Sequence, residues 1–253
     1  MRMIFNNKLD VNNKSILITG ATSGIGFATS QLLINLGCSL YVVGRNKVKL
    51  DELETLGKGK VVSLQADLRN INDIKMIIDT ISKIDGFVHS AGVVNSIPLQ
   101  FINHESLEIE RSLNYDSFVF LTQNLVKKKK INSDGSIVSL ASIAAHFGII
   151  GSSIYCGNKA ALIATSKVFA KELANKRIRV NTVSPGIVRT EMVNNAEGQH
   201  LTKDALILDE QKYPLGYGEP DDVAYCITYL LSDASKWITG QDIILDGGRT
   251  CYV

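Results

Sequence analysis

A short apolar run, Ser15-Ile16-Leu17-Ile18-Thr19, leads directly into Gly20-Ala21-Thr22-Ser23-Gly24-Ile25-Gly26. That loop opens a stretch of helical periodicity from Phe27 to Leu36, which Gly37 closes. No other feature constrains the fold as strongly. The run has the length and β-branching of a buried strand. Gly20 permits a tight turn, Gly24 lets a diphosphate approach the backbone, and Gly26 lets the helix pack against the strand. The start of the helix offers unpaired N–H groups to phosphate oxygens. Strand, glycine turn and helix together predict a nucleotide-binding unit.

The alternation continues along the chain. Ser39 to Val43 reads as a second strand, ending in Gly44-Arg45-Asn46, and Lys60 to Gln65 as a third, followed by Ala66-Asp67-Leu68. Residues 70–83 are helical, Asp85 to His89 is a fourth strand ending in Ser90-Ala91-Gly92, and residues 106–127 form one long helix with Asn114 at its middle. Ser136 to Ala141 is a fifth strand with Ser142 at its carboxyl end, and a small, apolar loop leads into a helix over 153–175. Arg177 to Val183 is a sixth strand that runs into Ser184-Pro185-Gly186-Ile187-Val188-Arg189-Thr190. Pro220 to Leu231 is a helix, and Gly240 to Leu245 a seventh strand closed by Asp246-Gly247-Gly248. Strands alternating with helices imply right-handed crossovers and a parallel sheet. The expected architecture is α/β: a single-domain Rossmann fold over residues 1–253, with a doubly wound seven-stranded parallel sheet and helices on both faces. Residues 191–214 are a candidate substrate lid. Ligands of such sheets bind at the carboxyl ends of the strands, where the glycine turn, Arg45, Asp67 and Ala91-Gly92 all fall.

Two local patterns suggest chemistry. Tyr155 and Lys159 are four apart in one helix, so they share a face one turn apart. A nearby ammonium favours the phenolate, which makes the pair a plausible acid/base couple. Ser142 precedes the phenol by thirteen residues, and a loop plus the first turn of the helix can fold its hydroxyl back beside it. The second pattern is at the end of the second strand. Sites for NAD place an acid there to bind the adenosine 2′-OH. Here Gly44 leaves room and Arg45 offers a guanidinium suited to a 2′-phosphate, so NADP is favoured over NAD. The position of Asn114 leaves open whether it is exposed or serves a site.

Composition excludes several classes. A net charge of +2 gives no broad electrostatic surface for nucleic acid. The one dense basic run, Lys127 to Lys130, reads as a solvated helix end. Cys38, Cys156, Cys226 and Cys251 are scattered without ligand spacing, so no metal site is expected and the thiols read as reduced. No apolar run reaches membrane-spanning length, so a soluble cytoplasmic chain is expected.

These motifs, in this order and at this spacing, resemble the short-chain dehydrogenase/reductase family along nearly the whole chain. The match runs through Thr19-Gly20-x-x-x-Gly24-Ile25-Gly26, Asp67-Leu68, Ala91-Gly92, Asn114, Ser142, Tyr155-x-x-x-Lys159, Pro185-Gly186 with Thr190, Thr239-Gly240-Gln241 and Asp246-Gly247-Gly248. The carboxyl-terminal part looks like the bacterial 3-oxoacyl-carrier-protein reductase branch and its sugar- and alcohol-oxidising relatives. The resemblance implies that Tyr155 protonates a carbonyl oxygen as hydride arrives. Lys159 would lower the phenol's pKa and hold the nicotinamide ribose, Ser142 would orient the carbonyl, and Asn114 would hold a water that relays protons. Gly20, Thr22, Ser23, Gly24, Ile25 and Gly26 would face the cofactor diphosphate, and Asp67 and Leu68 the adenine. Ala91 and Gly92 would contact the cofactor ribose region, and Ile187 and Thr190, with Pro185 and Gly186 beside them, the carboxamide. The substrate would be a small carbonyl or alcohol, and the assembly a homotetramer or homodimer built through the helices around Asn114 and Tyr155.

The chain departs from the family in two places. The family's Asn-Asn-Ala-Gly is His89-Ser90-Ala91-Gly92, so polar contacts behind the cofactor must differ. The segment between Gly92 and Asn114 lacks the family's acidic-tryptophan pattern and borders the substrate, so substrate identity does not carry over. His146, in the loop after Ser142, reads as a surface or packing residue ahead of a pocket residue. Two other functions are weaker. A non-catalytic nucleotide binder has no need of Asn114, Ser142, Tyr155 and Lys159 together, and a sugar-nucleotide epimerase carries a large substrate domain for which 253 residues leave no room. An NAD-dependent sugar or alcohol dehydrogenase of the same family is the nearer alternative.

Overall fold

The computed structural model describes residues 7–191, 193 and 203–251. Seven strands, β1 (Ser15–Thr19), β2 (Ser39–Gly44), β3 (Val61–Gln65), β4 (Ile84–His89), β5 (Ile131–Leu140), β6 (Arg179–Pro185) and β7 (Asp242–Leu245), form one sheet. Their order is β3-β2-β1-β4-β5-β6-β7, and every pairing is parallel. The chain winds outward from β1 to β3, then returns to place β4 on the other side of β1. That reversal opens a crevice above the carboxyl ends of β1 and β4.

Helices α1 (Gly24–Asn35), α2 (Lys47–Gly57), α3 (Ile71–Thr80), α4 (His104–Arg111), α5 (Ser117–Lys127), α6 (Ser153–Leu173), α7 (Lys203–Glu210) and α8 (Pro220–Leu231) connect the strands. One apolar cluster joins the sheet to Ile74 and Ile77 of α3, Phe118 and Leu121 of α5, and Leu162 of α6. A second joins the opposite face to Leu33 of α1, Leu50 and Leu53 of α2, and Ile227 of α8. Helices therefore cover both faces, which is why β1 and β6 are buried almost throughout. Beyond the strands, Ala21 N–H donates to Val43 at 3.1 Å, Ser90 N–H to Thr19 at 3.2 Å and Ala141 N–H to Val183 at 2.8 Å. These bonds carry the sheet one residue further and fix the floor of the crevice.

Several elements differ from the sequence-based expectation; the third helix ends at Thr80 and the seventh strand begins at Asp242. The single helix over 106–127 starts earlier, at His104, because Asn103 and Ser106 form a capping box. It is also interrupted by a π turn, Ser112–Asp116, that holds Asn114. The sixth strand begins two residues late because Arg177, at φ 56°, closes the preceding turn in the left-handed region. The fifth strand is longer, pairing with β4 from Ile131 through a register shift between Ile84 and Gly86. Much of the 191–214 segment lies outside the described residues; α7 is its described helix. Among the described residues no helix is long and apolar enough to cross a membrane.

Candidate active site

The glycine turn folds because two positions admit no side chain. Gly20 has φ +67°, and a Cβ there would lie 2.7 Å from Ala91 N and 2.8 Å from Ser90 C. Gly26 faces back onto Gly20, and a Cβ there would meet the Gly20 carbonyl and lie 3.0 Å from Ser90 Oγ. The ends of β1 and β4 and the start of α1 are thus in backbone contact. Ser23 caps α1 without a side-chain cap bond. Gly24 and Thr190 line one hollow with Phe27 and Arg189, which brings the turn after β6 across to the glycine loop. Thr22 packs against Gly44 at the end of β2, its Oγ1 2.8 Å from where a Cβ would stand. This cradle suits a diphosphate.

Arg45 is exposed at the end of β2, and among the described residues its guanidinium makes no ion pair. Its carbonyl accepts from Gln65 Nε2 at 3.0 Å, which ties it to β3. Asp67 is gripped by Arg69, with Nη2 2.5 Å from its carboxylate, and this hydrogen-bonded partner holds the Asp67 carboxyl down at about 2. Arg69, not singled out in the sequence, leaves this corner net positive.

Lys159 is buried and donates to the Leu140 carbonyl at 2.6 Å. A Cβ on Gly92 would lie 3.1 Å from Asn114 Oδ1 and 3.6 Å from Lys159 Nζ, so the end of β4, the π turn and α6 converge on one point. Asn114 has no exposure, and its carboxamide is committed: Oδ1 accepts from Val93 N at 2.8 Å and Nδ2 donates to Val93 O at 2.8 Å. The extra residue of the π turn gives Asn114 this inward orientation. Its side chain therefore clamps the loop after β4. Lys159 Nζ lies 5.5 Å from the centre of the Tyr155 ring.

The expected lowering of the phenol by Lys159 is not what this arrangement produces. Burial pushes Tyr155 up to about 12, and the hydroxyl of Ser142 beside it only partly opposes the rise. Burial draws Lys159 down to about 8, against the charge of Glu110. Desolvation outweighs attraction because both charged forms are disfavoured in the same apolar setting. The structure does bring Ser142 and Tyr155 together, as the spacing suggested.

The turn after β6 is held by a residue the sequence did not flag. Tyr213 accepts a hydrogen bond from Ile187 N–H at 3.3 Å and packs on Gly186. His89 is buried between Phe87 and Phe118, 2.9 Å from Thr19 Oγ1 and 3.4 Å from Ser117 Oγ. Burial, helped by the charge of Lys159, draws it down to about 3, so it is a neutral strut behind the crevice. His146 pairs with Asp242 on β7 at 2.8 Å, a packing role. Glu110 is a second unflagged group, buried on α4 and close enough to influence both Tyr155 and Lys159. Its only sequence signal is its place one turn before Asn114. Among the described residues no cluster of His, Cys, Asp or Glu could hold a metal ion.

Comparison with known proteins fits this geometry. The model of a family described as enoyl-(acyl carrier protein) reductase matches residues 20–250. The 3-oxoacyl-(acyl-carrier-protein) reductase FabG of Rickettsia conorii is 33% identical over 95% of this chain and 98% of its own. An NAD-dependent glycerol dehydrogenase of Listeria innocua is 29% identical over 97% of each chain. A crystal structure of a short-chain type dehydrogenase/reductase from Mycobacterium marinum superposes with a TM-score of 0.86 at 32% identity, covering 96% of this chain and 98% of that one.

Proposed function

Because the chain belongs to the short-chain dehydrogenase/reductase family and is therefore an oxidoreductase of the carbonyl/alcohol pair, we propose that its cofactor is NADP(H) and that Tyr155 is its acid/base. The observation that carries this proposal is the convergence of Asn114, Lys159 and Gly92 on one point beside Tyr155 and Ser142, at the crevice floored by Gly20 and Ala91. The glycine turn, Thr22, Ser23, Ile25 and Thr190 would hold the diphosphate, and Asp67, Leu68, Ala91 and Gly92 the adenosine side and ribose region. Pro185, Gly186 and Ile187 would hold the carboxamide, with Arg45 on the 2′-phosphate. The bound nicotinamide supplies hydride, which the side chains cannot. Tyr155, neutral over the whole physiological range, donates the proton to the carbonyl oxygen. Ser142 orients that oxygen, and Lys159 fixes the ribose and restores the phenol's proton. Asn114 keeps the loop after β4 closed over Lys159.

Apolar side chains support a substrate with a hydrocarbon arm over a sugar. Leu99, Phe101 and Ile150 are exposed on two segments joined by the Ile97 N–H to Gly151 carbonyl bond of 2.7 Å. The FabG relatives fit the same substrate class, a 3-oxoacyl thioester. An NAD-dependent alcohol or sugar dehydrogenase is the second reading, favoured by the Listeria relative. Turnover of 3-oxoacyl thioesters, keto sugars and bulky ketones with NADPH and NADH separates the two, and exclusive activity with NADH on a keto sugar would reject the first. Exposed Leu107, Ile109, Phe120 and Val168 on α4, α5 and α6 support assembly into a homodimer or homotetramer through those helices.

The cofactor assignment predicts the outcome of Arg45→Glu. Losing a charge-assisted bond to phosphate and adding repulsion weakens NADPH binding by about 100-fold, while NADH binding changes by no more than about threefold. Fluorescence titration of both cofactors measures this. Equal losses for NADPH and NADH would overturn the role of Arg45.

A further inference from the structure

Glu110 is 0% exposed, and neither of its carboxylate oxygens has a hydrogen-bond partner among the described residues. The main-chain N–H of Asn95 approaches it without reaching bonding geometry. A buried carboxyl left this way is costly and is not explained by packing. Glu110 stands one turn before Asn114 on α4, which packs against α6. Asn114 clamps Val93, so α4 and the π turn hold both Val93 and the neighbourhood of Asn95 over the carboxyl. Val94, Asn95 and Ser96 are exposed. The carboxyl is therefore near both Lys159 and a loop whose residues face solvent.

We propose that Glu110 is a positioning residue for Lys159 and the proton store of the site: as a carboxylate it holds Lys159 in its charged form, and as an acid it returns the proton that Lys159 passes on. The proposal rests on Tyr155 acting as the acid. In reduction the O–H bond of Tyr155 breaks and that of the alcohol forms. The phenolate then takes a proton from Lys159, the Lys159 amine takes one from Glu110 by way of water, and the Glu110 carboxylate takes one from solvent. One solvent proton is consumed per turnover, and no electrons move in this relay. The groups facing Glu110 are Lys159 and Tyr155 on α6 and the Asn95 main chain on the loop; residues 93–98 carry no ionisable side chain. On α4 itself, Glu105 and Glu108 are exposed and Arg111 pairs with Asp116 at 3.1 Å. Burial raises the Glu110 carboxyl to about 7, which suits a group that both holds and releases a proton near neutrality.

The sign of the effect follows from charge. A Glu110 carboxylate raises both Lys159 and Tyr155. Removing it lowers both, so protonated Lys159 and phenol are lost at lower pH. In Glu110→Gln and Glu110→Leu the alkaline limb of kcat/KM for carbonyl reduction moves to lower pH by about one unit, with KM for NADPH changed by less than about threefold. Glu110→Asp restores the limb toward its original place. Superimposable profiles, or a uniform loss at every pH, would overturn the proposal. A second measurement needs no turnover: infrared difference spectra of the chain alone between about pH 6 and about pH 8. The carbonyl stretch of a protonated carboxylic acid disappears as pH rises in wild type and is missing from both variants. A band that survives in Glu110→Leu, or is absent from wild type, refutes the assignment. If wild type turns over no carbonyl in the panel, the proposed function fails while this spectrum still judges Glu110. Leu fits an apolar site, so failure of both variants to fold would mark the carboxyl as structural and end the proposal.

Discussion

Tyr155→Phe lowers kcat for carbonyl reduction by about 10³-fold or more and leaves the dissociation constant of NADPH within about twofold. The substitution removes one oxygen and keeps the ring, so the contact with Lys159, whose Nζ lies 5.5 Å from the ring centre, survives. What disappears is the proposed proton donor. Burial holds the phenol up at about 12, so at neutral pH the wild-type group is protonated and ready to donate. Lys159, drawn down to about 8 and tethered to the Leu140 carbonyl, returns a proton to the phenol in the proposed relay and does not stand in for the phenol at the substrate oxygen. Steady-state rates, a fluorescence titration and a melting curve on one preparation check the claim. A variant that keeps a tenth or more of the wild-type rate would mean the acid is another group. A variant that loses NADPH binding and thermal stability together would mean Tyr155 is structural.

Legibility of the site in the sequence follows how local each interaction is. Tyr155 and Lys159 could be paired on paper because four residues of helix fix their relation whatever surrounds them. The glycine turn could be read because the demands at Gly20 and Gly26 arise within one loop and its flanking elements. The parallel sheet followed from alternation and the handedness of crossovers, whereas the order of its strands came only from the structure. Asn114 resisted because its orientation depends on a π turn, and that turn is stabilised by Val93, a residue far from it in sequence. The direction of the Tyr155 shift was also out of reach. Spacing shows that an ammonium is nearby, but only packing shows that both groups lie where charge of either sign is disfavoured. Glu110 hid for the same reason, since a glutamate in a helix rich in charge reads as exposed until α6 is packed on it. His89 was noticed as a departure, but its role required the facing Thr19 and Ser117.

The second large effect is expected from Gly26→Ala. A Cβ at this position falls within the radius of the Gly20 carbonyl oxygen, 2.8 Å from its carbon and 3.0 Å from Ser90 Oγ. The obstructing atoms are mainly backbone, so no rotamer change relieves the clash. Gly20 cannot retreat, because at φ +67° it lies against the main chain of Ser90 and Ala91. Overpacking of this kind costs about 3 kcal/mol, which for a chain of this size lowers Tm by about 6–12 °C. The other escape is for α1 to move away from β1. That displaces the N–H groups at the start of α1 from the cradle, and NADPH binding weakens by about 100-fold or more. Both routes damage the chain, and relative losses of Tm and affinity report which one it takes. Gly148→Ala is the matched control: a Cβ there meets nothing within 4 Å, so the same added methyl leaves Tm and NADPH affinity unchanged. Equal behaviour of the two variants would show that the Gly20–Gly26 contact does not organise the crevice.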